Sequence, residues 1–140
     1  MSLLTIGKLA EATGVKVPTI RYYESVGLLP EPPRTDSNRR LYDQETVRRL
    51  RFIRHAREMG FETDAIRDLL RMAAQPDRSC RQADGIARAH LTAIDDKIAR
   101  LTALRDEIEH MLADCPQDHI YSCKVIEVLA DHSHCLHAEH

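Results

Sequence analysis

The segment Cys115-Pro116-Gln117-Asp118-His119-Ile120-Tyr121-Ser122-Cys123 sets two thiols eight positions apart with an imidazole between them. Soft and borderline cations prefer thiolate and imidazole donors, and zinc closes a tetrahedron with four of them. This loop supplies three at most, so Cys80 is the candidate for a further ligand. The last stretch adds His132, His134, Cys135, His137 and His140, a composition able to hold a second metal or simply to form a mobile, weakly binding tail. Other readings of the same residues stay open: Cys115 and Cys123 as a redox pair, Cys80 as a small buried residue, His119 as a solvated loop residue. His90 and His110 fall within a helical stretch, where a surface or packing role is expected.

The elements that position these groups can be read from composition and pattern. With 140 residues, 43% apolar and 30% charged, the chain has the make-up of a globular protein, one compact domain or a small domain plus an extension. No run of about 18 apolar residues and no export signal is present, so a cytoplasmic address and reduced thiols are expected. Net charge is −2, but residues 1–74 hold thirteen bases against ten acids, whereas residues 75–140 hold seven against twelve. Within residues 16–57 there are ten bases and five acids, compatible with a phosphate-facing surface or with a solvated helix face. Two Phe, four Tyr and no Trp favour thin layers of helix on helix, hence a mainly α fold.

Thr5 caps a two-turn helix with Ile6, Leu9 and Ala10 on one face, and Gly14 stops it. After Val15-Lys16-Val17, Pro18 opens a second short helix, Thr19-Ile20-Arg21-Tyr22-Tyr23-Glu24, ended by Gly27, and the pair has the outline of a helix-turn-helix. Residues 29–42 carry the Pro, Asp, Ser and Asn of a turn and read as a basic hairpin. Asp43 caps a helix toward Glu58 with Val47, Leu50, Ile53 and Met59 inward and its arginines outward, ended by Gly60. Thr63 caps a further helix with Ile66, Leu69, Leu70 and Met72 as its apolar face.

Residues 75–79 break the pattern, and from Ala87 onward Leu91, Ile94, Ile98, Leu101, Ile108 and Leu112 keep a heptad seam interrupted only by Arg105, with Leu104 beside it. A helix from Arg81 to Ala113 is roughly 50 Å long at 1.5 Å per residue. One such helix cannot bury its seam, so a second copy of the chain is the expected cover, unless the stripe folds back on the front domain. Cys115 and Pro116 end this helix, Val125 to Leu129 form one or two further turns, and the tail from Asp131 is expected to be mobile.

Five motifs, Ile6-Gly7-Lys8-Leu9-Ala10, Thr19-Ile20-Arg21-Tyr22-Tyr23-Glu24, Gly27-Leu28-Leu29, Arg39-Arg40-Leu41-Tyr42 and Arg57-Glu58-Met59-Gly60-Phe61, stand in the order and spacing of the MerR family of transcriptional regulators, which this chain resembles over nearly its whole length. The resemblance implies a winged helix-turn-helix DNA-binding domain over residues 1–74, a linker and long antiparallel coiled-coil dimerisation helix over 75–113, a metal-binding loop and short helix over 114–130, and a His/Cys-rich tail over 131–140. It implies that Arg21 and Tyr23 of the recognition helix meet the duplex and that Arg39 and Arg40 reach its backbone from the wing. Thr19 and Tyr22 add donors and an amphipathic ring on a helix of a size that fits a major groove. Pro18 departs from the polar residue frequent in relatives.

In an antiparallel homodimer, Cys80 of one subunit meets Cys115, His119 and Cys123 of the other, and the resemblance to metal sensors implies that arrangement. Such regulators sit on promoters with an overlong spacer, repress without metal, and with metal distort the DNA so that RNA polymerase can use it. Cys80 points to a divalent ion, since monovalent-copper sensors of the family carry serine there. His119 favours zinc, cadmium or lead are next, and the loop length is nearer to the copper type. The expected function is a metal-responsive regulator of efflux or detoxification genes; a thiol-based redox or electrophile sensor on the same fold and a metal-buffering protein are the alternatives. No phosphate-binding glycine loop or placed acid-base pair suggests an enzyme.

Overall fold

A computed structural model describes residues 3–37, 39–113, 119–137 and 139. Its helices are α1 (Ile6–Thr13), α2 (Val17–Ser25), α3 (Gln44–Glu58), α4 (Thr63–Ala73), α5 (Arg81–Ala113) and α6 (Lys124–Ala130), with single 3-10 turns at Ile120–Ser122 and His132–His134. Among the described residues no helix is long and apolar enough to cross a membrane. The chain forms two compact units, residues 1–86 and 87–140.

In the first unit, Thr5 accepts the Lys8 N–H at the start of α1, and Gly14 ends that helix in the left-handed region at φ 72°, donating to Ala10 O. Helix α1 packs on both α2 and α3, and α3 on α4. Leu9, Ile20, Leu28, Leu50, Ile53 and Ile66, all fully enclosed, form the centre of the core, with Tyr23, Leu29, Tyr42, Val47 and Leu70 around them. The hairpin is held by two isolated antiparallel bridges, Leu4 with Tyr42 and Arg34 with Arg40, rather than by long strands. Asp43 then accepts from Thr46 N and Oγ1 and starts α3; these bonds hold its carboxyl below the usual carboxylate range.

Three local expectations are corrected. Met59, expected inside, is 60% exposed, because α3 ends at Glu58 and the core position in its last turn is Ala56. The residue that flanks α4 is Glu62, with Thr63 already helical. The outward arginines of α3 are not simply solvated: Arg49 Nε donates to Leu28 O (2.7 Å), Arg51 Nη2 to Ala12 O (3.1 Å) and Arg54 Nη1 to Thr13 O (2.7 Å). Carbonyls at a helix C-terminus lack intrahelical partners and carry partial negative charge, so guanidinium donors complete the end of α1.

The second unit is built on α5. Leu91, Ile98, Leu101, Ile108 and Leu112 are each more than half exposed in the single chain, and Met111 and Val128 are its enclosed apolar residues. The tail, expected to be mobile, is held instead. Asp131 accepts from Ser133 N, the His137 N–H donates to the enclosed Glu107, and His137 Nε2 lies 3.2 Å from Asp106 Oδ2. Two carboxylates about two turns from the end of α5 offer acceptors that the composition of a polar terminal segment does not reveal.

A side chain at position 14 would occupy the left-handed region and bring its Cβ within 2.1 Å of Arg54 Nη1. Gly14→Ala should therefore lower stability by about 1–2 kcal/mol in urea unfolding. Tyr42 is 1% exposed and donates to Glu24 Oε1 at 2.7 Å. Burial first, then the Glu24 carboxylate, push its hydroxyl up to about 12. The unfolded phenol ionises near about 10, so the stability this bond contributes is full below that pH and is lost between about 10 and 12. The 295 nm difference between wild type and Tyr42→Phe should accordingly titrate with a midpoint near 12.

Candidate functional site

Helix α2 and the wing enclose a groove of about 880 Å³ lined by Thr5, Ile6, Arg21, Glu24, Ser25, Glu31, Arg34, Arg39 and Arg40. Four guanidinium groups against two carboxylates make it a basic surface suited to a phosphate backbone. Arg21 and Arg39 are exposed there, as the sequence suggested. Thr19 is half-buried near the start of α2. The two tyrosines divide their roles: Tyr22 is 54% exposed and available to a ligand, whereas Tyr23 is 8% exposed and belongs to the core. Their rings lie 6.0 Å apart. One step along a helix turns a side chain by about a quarter of the circumference, so adjacent residues face different surroundings.

Arg40 is not a free phosphate ligand. Its Nη1 donates to Glu24 Oε2 at 3.1 Å and its Nη2 to Glu31 Oε1 at 3.4 Å. Glu24, only 6% exposed, accepts Tyr42 Oη with its other oxygen. The recognition helix and the wing are thus joined by one buried carboxylate. Sequence reasoning missed Arg34, Glu24 and Glu31. The signal for Arg34 is its position opposite Arg40 in the hairpin, which puts both on one rim.

Of the thiols, Cys80 is exposed beside the first turn of α5, and Cys123 is half-buried at the N-terminus of α6. Cys115 lies outside the described residues. His119 precedes the turn Ile120–Ser122, and its exposed ring stacks on Tyr121 at 5.2 Å. The described cysteines are Cys80, Cys123 and Cys135, all free. This donor chemistry, soft sulfur with a neighbouring imidazole, fits a thiophilic divalent ion.

The tail residues do not converge. His134 faces Glu127 and Asp131 at 3.8 and 3.7 Å, while His137 faces Asp106. Cys135 and His132 line an apolar cavity of about 310 Å³ with Glu107 and Met111. Burial and then the Glu107 charge push the Cys135 thiol up, which disfavours the thiolate that metals need. Among the described residues no three His, Cys, Asp or Glu side chains form a group able to hold a metal.

Comparison with known proteins joins these features. The family model described as MerR HTH family regulatory protein matches residues 4–73, and the one described as MerR, DNA binding matches residues 47–111. The chain is 41% identical over 129 residues to the mercuric resistance operon regulatory protein of Bacillus cereus, spanning 89% of this chain and 95% of that one. It is 32% identical over 130 residues to heavy metal-dependent transcription regulator 2 of Rhizobium meliloti (strain 1021), spanning 93% and 88%. The crystal structure of the transcription regulator PbrR691 from Ralstonia metallidurans CH34 in complex with lead(II) superposes with a TM-score of 0.80 at 35% identity, covering 90% of this chain and 98% of that one. With a basic groove between recognition helix and wing, a long helix with an apolar edge and relatives that are transcription regulators along nearly their full lengths, the chain belongs to the MerR family of helix-turn-helix DNA-binding regulators.

Proposed function

We propose that this chain is a metal-responsive transcription factor that binds promoter DNA as a homodimer through residues 1–74, represses without metal, and activates by distorting the DNA when a divalent ion binds across the dimer. The observation that carries the reading is the likeness to a regulator crystallised with lead(II), at 35% identity over 98% of that chain. In this reading α5 pairs with its copy through Leu91, Ile98, Leu101, Ile108 and Leu112, whose exposure in one chain is relieved by a second. Residues 75–113 are linker and dimerisation helix, 114–130 the metal-binding segment and 131–140 an accessory tail.

Cys115, Cys123 and Cys80 of the partner subunit supply sulfur, and His119 the nitrogen. A shared ion makes the energy of binding depend on how the two copies are placed, so metal occupancy biases one arrangement of the dimer and of the DNA it holds. RNA polymerase then acts on the distorted promoter. The regulated genes are those of metal efflux or detoxification. The protein acts in the cytoplasm, where its thiols stay reduced.

Zinc is the inducer that uses all four donors. A second reading is favoured by relatives whose names refer to mercuric resistance and to lead(II): three sulfurs alone, with His119 left stacked on Tyr121. The two part on one variant. His119→Ala abolishes the zinc response but spares the lead, cadmium and mercury responses if the imidazole is a ligand; equal loss of all responses points to a structural role for it.

Cys80→Ser, Cys115→Ser and Cys123→Ser should each keep promoter affinity within about twofold while abolishing metal-induced transcription in a reducing assay titrated with zinc, cadmium, lead, copper and mercury salts. Loss of DNA affinity in these variants counts against the reading, and activation that persists under chelation supports a thiol switch instead. Absence of any specific footprint on promoter DNA leaves metal buffering as the function.

A further inference from the structure

A carboxylate buried in a groove that receives phosphates is at first sight adverse, because like charges repel. Glu24 occupies that position: it lines the groove with four arginines, is 6% exposed, and has both oxygens engaged, one by Arg40 Nη1 and one by Tyr42 Oη. Glu31, the other acid of the groove, differs in being 69% exposed, and it touches Arg40 and Arg34 at 3.4 and 4.0 Å. Exposed pairs of this kind exchange readily for other anions, whereas a buried, doubly bonded carboxylate does not.

Arginine has five N–H donors in a rigid fork on a flexible stem, and a free stem loses rotamer entropy when it binds. With one donor of Nη1 committed to Glu24, the stem of Arg40 is held while other donors of the same fork stay available to a ligand in the groove. The side chain is 30% exposed, consistent with a fixed stem and an accessible edge.

We propose that Glu24 is a positioning residue for DNA binding, which acts through Arg40 by holding its guanidinium ready for a backbone phosphate that displaces Glu31. The proposal rests on the reading of this groove as the DNA interface. It makes a counter-intuitive prediction: removing the negative charge of Glu24 weakens binding to a polyanion.

The test uses the full chain and a 25-base-pair duplex of mixed sequence, with affinity measured by fluorescence anisotropy over a series of KCl concentrations. Wild type binds with a steep salt dependence; if it does not bind, the interface reading itself fails and the proposal with it. Glu24→Gln, which retains an acceptor for Tyr42, is expected to bind about three- to tenfold more weakly at low salt and to lose about one from the slope of log K against log salt. Arg40→Gln should show the same loss, and the double variant no more than Arg40→Gln alone.

Glu24→Asp, which keeps the charge but falls short of Arg40, should reproduce the loss and serves where the glutamine variant folds poorly. Tyr42→Phe removes the other donor and should lower thermal stability while keeping the wild-type salt slope. Binding by Glu24→Gln that equals or exceeds wild type, a further loss in the double variant, or a reduced slope in Tyr42→Phe would overturn the proposal.

Discussion

Five large apolar side chains stand more than half exposed along α5, and this uncovered edge sets the terms for the rest of the molecule. Fully burying a residue such as Leu or Ile is worth about 1.5–3 kcal/mol, so the edge left in water represents several kcal/mol not realised by one chain. Helical propensity alone does not account for a helix of 33 residues, since most helical stability in proteins comes from packing an apolar face. The coupling proposed for this regulator follows from that constraint: what covers the seam also brings together thiols that one chain holds apart in sequence.

The front unit solves a different problem, namely how to present positive charge without letting arginine side chains drift. It does so by using some of them as structural donors. Arg49, Arg51 and Arg54 close the carbonyl ends of neighbouring segments, and Arg67 does the same for Val26 O. What the groove presents to a ligand is a smaller group: Arg21 and Arg39, with Arg34 beside Glu31 and Arg40 held by Glu24. A count of basic residues over 16–57 therefore overstates the surface offered to phosphate, because part of that charge is already opposed by backbone dipoles.

The surroundings of the thiols differ along the chain. Cys80 and Cys123 are free and at least partly accessible. Cys135 sits against the enclosed Glu107, where an anion is disfavoured, and the tail histidines turn toward carboxylates on two different helices. A run of His and Cys in sequence thus became a docking strap, since the rings of His134 and His137 lie against carboxylates rather than against each other.

Local patterns carried much of the architecture. Thr5, Gly14 and Asp43 mark helix ends because capping depends on the residue and its immediate neighbours, and the span Arg81–Ala113 follows from a helical periodicity interrupted only at Arg105, between a Pro-containing break and Cys115-Pro116. The motifs of the recognition helix and wing were legible for the same reason, and with them the family. Tertiary structure alone decided which of two adjacent tyrosines faces outward, that Met59 lies outside the core, that Arg40 is tied to Glu24 and Tyr42, and that the tail is docked on Asp106 and Glu107. These depend on contacts between residues 16 to 31 positions apart, or on the space left by distant segments, and no pattern of near neighbours encodes them.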